Sequence, residues 1–468
     1  MSRVAAVFLA TLVAFASLTR GVVFLAGNDA SRFAHIQSLV EDRTPSIDGS
    51  QYAWTVDRVQ IGGRLYSNKP PLLGIAGALL YAPLHAAGLS LRDASDRGLV
   101  LWLLTVVLSA LPTAWLAAEF FRALELHAGI GTRVRLLVTA ALVFGTTVAA
   151  YSVTLNGHTL AAALLFAAFH AAVRGHAARC GLLAGLAVSV DTVPALGLVP
   201  ALAWIVGAGF GRRPLGRLLA GFSAASLLFF AANLATVGSL WPPKLAFGAR
   251  DWTQVVGLLA ARTQIVPGHD LYLLPGLFGW QGLLTTSPIL VFGLAGLVRA
   301  IRRPVVLRRD WCLAVALAVA VQVIGRCSFP ALAGGWSYGF RYLVPVIPFL
   351  MFFAPAALGG ARTVAFTALF PISAAIALLG VYNPWPPVRE NVSIQDPVIE
   401  HVRSPIGANA AALLTQLFPG SRAAEAAGSA FLDPDASARR KYLAYFYASR
   451  GDVERCRLYD PAVAAALQ

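Results

Sequence analysis

Residues 4–26, VAAVFLATLVAFASLTRGVVFLA, form a long apolar run at the start of the chain. A helix needs about 20 apolar residues to cross about 30 Å of hydrocarbon, and this run is long enough to do so. Ten further runs of similar character follow it. They lie near residues 71–91, 98–118, 134–155, 159–173, 181–206, 218–238, 277–298, 311–329, 342–358 and 363–382. The sequence therefore predicts an all-α, polytopic bundle of about eleven transmembrane helices.

The composition supports the same class of protein. Of the 468 residues, 57% are hydrophobic and 13% are charged, and the mean hydropathy is +0.68. Soluble domains carry about 25% charged residues, so this chain has more apolar surface than one water-soluble core can bury. These values exclude a soluble enzyme, a disordered chain and a secreted disulfide scaffold. The apolar runs are continuous rather than alternating, which excludes a β-barrel.

The net charge of +15 indicates a topology rather than a nucleic-acid partner, because membrane proteins collect Lys and Arg in cytoplasmic loops. Basic clusters at 122–135, 174–179, 212–217 and 299–309 predict such loops. The N-terminus is then cytoplasmic, and segments 27–70, 239–276 and 330–341 lie on the opposite side. Two alternatives stay open: the first run could be a signal peptide, since residues 14–16 (AFA) resemble a cleavage site, and run 71–91 could be shallow or re-entrant.

The polar segment NPWPP at residues 383–387 ends the apolar part of the chain. We therefore predict a transmembrane domain over residues 1–382 and a C-terminal extramembrane tail over residues 383–468. Within the tail, residues 437–449 (SARRKYLAYFYAS) predict a short helix with a basic start and an aromatic face. That helix could lie on the membrane surface or pack inside a small cap, and the sequence favours neither.

The unusual segment is the long first external loop, residues 27–70, which is polar and rich in ionisable groups. Long structureless loops are uncommon, so we predict that this one folds on the membrane surface and carries function. Asp29 follows the first apolar run directly, and Arg32 would share its helix face. Lys69 stands immediately before Pro70, at the mouth of the next run.

These features resemble the GT-C superfamily of integral-membrane glycosyltransferases, of which protein O-mannosyltransferases and lipid A aminoarabinose transferases are the nearest types. The resemblance rests on the acidic residue after the first span, the arginine three residues later, the long loop, and YSNKPPL at residues 66–72. Residues 334–342 (GGWSYGFRY) are similar to a late external loop in related bacterial enzymes. The resemblance implies a polyprenyl-phosphate-linked sugar donor. It also implies a cell-envelope glycan, lipid or protein acceptor, and transfer on the extracytoplasmic side of the inner membrane.

Such a donor presents a phosphodiester anion, and the candidate residues suit it. Lys69, as a point charge, and Arg341, as a bidentate fork, can hold the phosphate and stabilise its charge as it leaves. Asp29 is the predicted general base, and inverting transfer needs only one such carboxylate. Substrate contacts are predicted for five residues, namely Arg32, Asp57, Lys69, Tyr338 and Arg341.

Each of these residues also has a purely structural interpretation. Asp29 could cap a juxtamembrane helix, Lys69 could be an interfacial lysine, and Tyr338 could belong to an aromatic belt. Two weaker candidates are His158, for which a structural hydrogen bond is the preferred interpretation, and Asp191. Asp191 interrupts the run at 181–206, which would then be one kinked helix or two short ones.

The chain departs from the family pattern in one respect. Residues 28–29 (ND) hold one carboxylate where the family usually shows two, so we predict no metal site, and no cofactor is predicted either. Other classes stay open: a flippase or transporter for lipid-linked sugars, an O-antigen-type polymerase or ligase, and a non-catalytic scaffold. Transporters commonly show paired halves, whereas the long polar loop occurs once here. The sequence therefore favours the glycosyltransferase.

Overall fold

The structure is a computed structural model of the chain, and it describes residues 2–24, 28–247, 273–304, 306–327, 336–388 and 402–465. Several predicted features lie outside these residues: Gly27, most of the loop at 239–276, and residues 330–335 with Gly334 and Gly335. The described chain is mostly helical, as predicted.

The helices of the first half are α1 (Arg3–Leu18), α2 (Asn28–Gln37), α3 (Pro71–Ala86), α4 (Ala94–Thr105), α5 (Leu111–Ala123), α6 (Thr132–Phe144), α7 (Val148–Tyr151), α8 (His158–Val173), α9 (Ala177–Val190), α10 (Thr192–Leu196), α11 (Val199–Phe210) and α12 (Arg212–Val237). Those of the second half are α13 (Pro243–Phe247), α14 (Leu273–Phe278), α15 (Leu283–Thr286), α16 (Leu290–Arg302), α17 (Arg309–Cys327), α18 (Ile347–Phe352), α19 (Ala354–Ala357), α20 (Ala361–Tyr382), α21 (Pro405–Leu417), α22 (Arg422–Phe431), α23 (Ala436–Ser449), α24 (Val453–Tyr459) and α25 (Pro461–Ala465).

Four helical stretches among the described residues are long and apolar enough to cross a membrane. They are Ala94–Leu126, which joins α4 and α5, Arg212–Val237, Arg309–Cys327 and Ala361–Tyr382. The pair Leu273–Thr286 and Leu290–Arg302 makes a fifth if its 103° bend lies within one span. Six more apolar helices have 10–17 residues. By length and composition the structure has four or five spans, and the count of about eleven stays a prediction.

Glycines bring two of the apolar helices into close contact. A Cβ added to Gly181 on α9 would lie 1.9 Å from the Leu218 carbonyl oxygen on α12, and one added to Gly221 would lie 2.4 Å from the Ala178 carbonyl oxygen. Only a residue without a side chain fits such a crossing. After α9 the chain breaks at Asp191, so the run at 181–206 forms separate short helices rather than one kinked helix.

The first external loop contains a β-hairpin that the all-α prediction missed. β1 (Arg58–Ile61) pairs antiparallel with β2 (Arg64–Ser67), with Val59 opposite Tyr66. Gly62 and Gly63 form the two-residue turn and have φ angles of 56° and 83°. A type I′ turn needs a positive φ at both central residues, and glycine adopts it without steric cost. The IGGR sequence at residues 61–64 is therefore the signal for this turn.

The C-terminal helices α21–α25 share a second apolar cluster, in which Tyr442, Phe446 and Tyr447 of α23 are fully buried. Of the two interpretations of residues 437–449, the structure supports packing inside a cap. The aromatic face contacts protein: the Tyr442 hydroxyl donates to the Pro387 carbonyl oxygen, and the Tyr447 hydroxyl donates to that of Ala412.

Candidate active site

Asp29 lies in the first turn of α2, which follows α1 and the linking segment of residues 19–24. Its carboxylate is 1% exposed and accepts two backbone hydrogen bonds, from Phe24 N at 2.8 Å and from Ala30 N at 3.0 Å. Burial raises the pKa of Asp29 to about 7, although both hydrogen bonds act to lower it. A carboxylate with such a pKa can accept a proton near neutral pH, as a general base must.

The β-hairpin brings Lys69 to Asp57, a contact that the sequence did not predict. Lys69 Nζ lies 2.7 Å from Asp57 Oδ2, and Asn68 donates to the other carboxylate oxygen at 3.2 Å. Ser31 of α2 fixes this unit, because its hydroxyl donates to the Asp57 carbonyl oxygen at 2.6 Å and lies 2.7 Å from Ser67 Oγ. Asp57 and Lys69 are thereby attached to the helix that carries Asp29.

The charges of this unit follow from burial and from the ion pair. Burial lowers the pKa of Lys69 to about 8; Asp57 opposes the change, and the nearby charge of Arg341 adds to it. Burial alone would raise the pKa of Asp57, but the Lys69 charge and hydrogen bond hold it at about 2. Asp57 therefore stays ionised near neutral pH, while Lys69 loses its proton in mild alkali.

Arg341, from a distant part of the chain, lies close to Asp57 and Lys69. Its guanidinium carbon lies 4.9 Å from the ring centre of Tyr342 and 5.2 Å from that of Trp385, and its Nη2 donates to the Tyr342 hydroxyl at 3.1 Å. The buried Nε has no hydrogen-bond partner within the described residues. Arg341 is therefore held between two aromatic rings with one donor unused.

Arg32 is the deepest cation that the sequence predicted. It is 5% exposed, and within the part of the chain that the structure describes its Nε and Nη1 have no partner. Burial lowers the pKa of Arg32 to about 10, against the nearby charges of Asp191 and Asp57. A Cβ on Gly157 would lie 3.3 Å from Arg32 Nη2, so a glycine there leaves room for the guanidinium. The predicted common face of Asp29 and Arg32 exists, but no ion pair joins them among the described residues.

His158 and Asp191, the two weaker candidates, form a buried pair beside this cluster. His158 Nδ1 lies 2.5 Å from Asp191 Oδ2, and His158 Nε2 has no partner in the described chain. The His158 ring stands edge-on to those of Tyr151 and Tyr342, with centroids 5.9 and 5.6 Å away. The structural hydrogen bond preferred for His158 is therefore present, and it leaves the second ring nitrogen unused.

Arg326 is a component of the cluster that the sequence analysis missed. It lies near the end of α17, is 7% exposed, and its guanidinium carbon is 4.6 Å from the Tyr342 ring centre. Its Nη2 has no partner within the described residues. The available signal was an arginine inside an apolar run, where an ionisable group is costly and usually functional.

Tyr338 is the one predicted site residue whose side chain lies apart from the cluster. It is fully buried, and its hydroxyl donates to the Ile376 carbonyl oxygen at 2.5 Å. Its backbone N donates to Pro384, and its backbone carbonyl accepts from Tyr151. With its hydroxyl already bonded, Tyr338 holds its loop against α20 rather than reaching toward Lys69.

The α2–α3 pair carries a second charged cluster at its far end. Glu41, just after α2, accepts hydrogen bonds from Gln37, Tyr81, Ser90, Leu91 and Arg92. The pKa of Glu41 lies below its usual value: burial alone would raise it, but the hydrogen bonds from Tyr81, Gln37, Leu91 and Arg92 outweigh burial. Arg92 also pairs with Asp42. In this second cluster the Glu41 carboxylate and the Arg92 guanidinium are paired with each other.

No family model matches the chain, and no curated protein matches it in sequence. Solved structures with a similar fold include two of one protein and one of another. ArnT from Cupriavidus metallidurans matches in the apo state (14% identity, 99% of this chain and 75% of that one, TM-score 0.48) and bound to undecaprenyl phosphate (15%, 99% and 75%, TM-score 0.49). The Archaeoglobus fulgidus oligosaccharyltransferase matches at 14% identity over 98% of this chain and 59% of that one, with a TM-score of 0.43.

Both of these neighbours are membrane glycosyltransferases of the GT-C superfamily, the superfamily that the sequence motifs resemble; ArnT is a lipid A aminoarabinose transferase. The identities are 14–15%, and the TM-scores lie below 0.5. The reaction of this chain therefore has to be argued from its own residues.

Proposed function

We propose that the protein is a membrane glycosyltransferase that moves a sugar from a polyprenyl-phosphate-linked donor to an extracytoplasmic acceptor. One observation carries the proposal: three buried arginines with unused donor nitrogens lie close to one another, and Arg32 among them lies close to Asp29. Arg32, Arg326 and Arg341 each keep at least one buried nitrogen without a partner among the described residues. Unpaired buried charge is costly, so such a cluster fits an anionic substrate.

The phosphate of the donor would lie between Lys69 and Arg341. Lys69 is held by Asp57, and Arg341 is held by the Tyr342 and Trp385 rings, so both cations are oriented before any substrate arrives. A guanidinium offers paired N–H groups that match two phosphate oxygens. Preorganised cations stabilise the charge that collects on the phosphate as the sugar leaves. Arg32 and Asp57 complete the substrate contacts.

Asp29 would act as the general base in an inverting transfer. The acceptor hydroxyl or amine gives its proton to Asp29 as its oxygen or nitrogen attacks the anomeric carbon. The bond from that carbon to the phosphate oxygen breaks, its electron pair stays on the oxygen, and the polyprenyl phosphate leaves. One carboxylate suffices because no covalent sugar–enzyme intermediate forms. The other nearby carboxylates, Asp57 and Asp191, are engaged by Lys69 and His158.

The basic end of the bundle supports the proposed orientation. Val4 near the N-terminus lines a cavity of about 490 Å³ together with Arg122, Arg174 and Arg179. Two predicted cytoplasmic clusters, 122–135 and 174–179, and the N-terminus thus meet on one side, as the positive-inside rule requires. We place the N-terminus in the cytoplasm and the site outside it, in a bacterial inner membrane crossed by about eleven spans.

The chain would then consist of a glycosyltransferase domain over residues 1–382 and an extracytoplasmic tail over residues 383–468. The acceptor, a cell-envelope glycan, lipid or protein, would approach from the extracytoplasmic side, where the tail lies. The described tail residues pack on the end of α20, since Asn409 donates to the Leu379 and Asn383 carbonyl oxygens at 2.6 and 2.9 Å.

Sugar transfer in liposomes tests the proposed function. The purified protein receives a panel of radiolabelled polyprenyl-phosphate sugars and a membrane extract as acceptor. We expect label to move from lipid to acceptor, and Arg341→Gln to reduce this at least about tenfold. Arg308→Gln is the control, because Arg308 also lies over an aromatic ring, that of Trp311 at 5.5 Å, but pairs with Asp310 outside the cluster. Label that only changes leaflet while still on its lipid would identify a flippase instead.

A further inference from the structure

The C-terminal helices contact the candidate site along two separate routes that begin at neighbouring residues. Arg450, directly after α23, is 2% exposed, and its guanidinium carbon lies 3.7 Å from the ring centre of Tyr382. Its Nε donates to the Tyr382 carbonyl oxygen at 2.9 Å. An arginine that is buried, stacked and bonded to backbone fixes the end of α20 in place.

The first route leads from Tyr382 to Arg341. Tyr382 is followed by the turn of residues 383–385. The Asn383 side-chain amide in this turn donates a 3.1 Å hydrogen bond to Ser449 Oγ, so Ser449 also holds the turn. Trp385 in this turn is fully buried, donates its indole N–H to Thr154 at 3.0 Å, and stacks on Arg341. The position of the phosphate-binding guanidinium therefore depends on a turn that the C-terminal helices hold.

The second route leads from Gly451 to Asp29. Gly451 has a φ of 70°, and a Cβ added there would lie 2.9 Å from the Val23 carbonyl oxygen and 3.1 Å from Val22 Cβ. Val22 and Val23 belong to the linking segment, and the next residue, Phe24, donates its backbone N–H to Asp29. The C-terminal helices thus pack closely against the segment that supplies one of the two backbone hydrogen bonds to Asp29.

We infer that Arg450 and Gly451 are positioning residues of the active site. Through them the C-terminal helices fix the positions of Asp29 and Arg341 relative to each other. The inference rests on the proposed function and gives the predicted tail a role in it. Neither residue touches substrate. Together they join two parts of the site that are more than 300 positions apart in the sequence, and a displacement of about 1 Å at such a point can cost up to about 100-fold in rate.

The chain offers a matched pair of glycine variants for the test. Gly451 and Gly420 both lie in turns between C-terminal helices with similar φ angles, 70° and 72°. Alanine is strained at both positions, but a Cβ at Gly420 meets nothing within 4 Å, whereas one at Gly451 meets the linking segment. Gly451→Ala and Gly420→Ala in the full-length protein therefore share the backbone strain and differ in the contact.

Transfer kinetics and hydrogen exchange give two readouts. We expect Gly451→Ala to lower kcat at least about tenfold below Gly420→Ala, with the donor KM within about threefold. The acidic limb of its pH profile should move to higher pH, because the Phe24 hydrogen bond that lowers the pKa of Asp29 is weakened. The charges that face Asp29, those of Arg32 and Asp57, are the same in both variants. Backbone amides at residues 19–24 should exchange faster in Gly451→Ala than in Gly420→Ala.

Arg450→Gln tests the other route, with Arg440→Gln as its control. Arg440 lies on α23, and in the part of the chain that the structure describes it bonds to the Leu458 and Tyr459 carbonyl oxygens within the C-terminal helices. We expect Arg450→Gln to raise the donor KM several-fold and Arg440→Gln to leave it unchanged. Equal kinetics and equal exchange within each pair would overturn the inference. A wild-type protein that transfers no sugar, with faster exchange in Gly451→Ala, would instead refute the proposed function while leaving the contact standing.

Discussion

The two ends of the α2–α3 pair carry similar residues in opposite states. At one end Glu41 accepts five hydrogen bonds, one of them from Arg92. At the other end Asp29 accepts two hydrogen bonds within the described residues, both from the backbone. The pKa of Glu41 lies below its usual value, whereas burial raises the pKa of Asp29 to about 7. The same loop thus holds one carboxylate that is locked as an anion and one that can take up a proton.

The contrast separates a structural charge cluster from a chemical one. A carboxylate that side chains satisfy fully contributes to folding and cannot easily reach a substrate. A buried carboxylate with a raised pKa, next to cations with unused donors, is costly for the fold and suited to catalysis. We therefore expect substitutions at the Asp29 end to reduce transfer, and those at the Glu41 end to reduce stability.

A large difference in transfer rate is expected between Lys69→Ala and Arg92→Ala. Losing Lys69 removes a phosphate ligand and leaves Asp57 buried without its partner, so transfer should fall about 100- to 1,000-fold. Arg92 is half exposed, so Arg92→Ala should change transfer less than about twofold and stability by at most about 1 kcal/mol. Transfer rates at saturating donor, with circular dichroism as the folding control, measure both. Equal losses in the two variants would remove the assigned role of Lys69.

The pH dependence of transfer should report both groups at the active end. Activity should rise through about pH 7 as Asp29 loses its proton and fall above about pH 8 as Lys69 loses its own. In Asp57→Asn the alkaline limb should move to lower pH, because Asp57 is the charge that raises the pKa of Lys69. An alkaline limb that does not move in Asp57→Asn would show that Lys69 does not set it.

Close packing between α2 and α3 should contribute to the stability of the protein. A Cβ on Gly74 of α3 would lie 2.3 Å from His35 Nδ1 on α2, so Gly74→Ala should destabilise the protein by about 1–3 kcal/mol. Gly216→Ala on α12 is the control, because its Cβ meets nothing within 4 Å and alanine favours a helix by up to about 1 kcal/mol. Thermal unfolding in detergent compares them, and a Gly74→Ala protein as stable as the wild type would refute the close packing.

The comparison also predicts the pH dependence of stability. The pKa of Asp29 is raised above its unfolded value, so it makes the fold less stable as pH rises from about 4 to about 7. Glu41 has the opposite sign: its lowered pKa adds stability above about pH 4.5, which is lost as pH falls. Asp29→Asn should flatten the unfolding temperature over pH 4–7, and Glu41→Gln should flatten it below that range. Flattening below pH 4 by Asp29→Asn, and over pH 4–7 by Glu41→Gln, would contradict the contrast between the two carboxylates.

The sequence predicted the parts of the site that stand next to apolar runs. Asp29 and Lys69 are conspicuous because they border such runs, and the fold class follows from the runs themselves. The pairing of Lys69 with Asp57 needed the hairpin, whose glycine turn at residues 62–63 was the missed signal. Hydrophobic periodicity does not report which distant elements meet.

The remaining parts of the site depend on contacts between distant segments. Arg326 contacts Tyr342, and Trp385 contacts Arg341, only in the folded chain, and no local pattern in the sequence marks either pair. Tyr338 shows the converse, since its place in an aromatic loop motif predicted a substrate contact, whereas tertiary packing buries its hydroxyl against α20. Both outcomes arise because side-chain partners are set by packing rather than by sequence neighbours.

A single-turnover transfer assay on Asp29→Asn and Glu41→Gln, side by side in liposomes, tests the proposed chemistry. Both changes replace a buried carboxylate of the same loop by a neutral amide, so they differ in position along the helix pair rather than in chemical type. We predict that Asp29→Asn lowers the rate of sugar transfer about 100- to 10,000-fold while the protein stays folded, and that Glu41→Gln keeps the rate within about threefold. Undiminished transfer by a folded Asp29→Asn protein would contradict the assignment of Asp29 as the base.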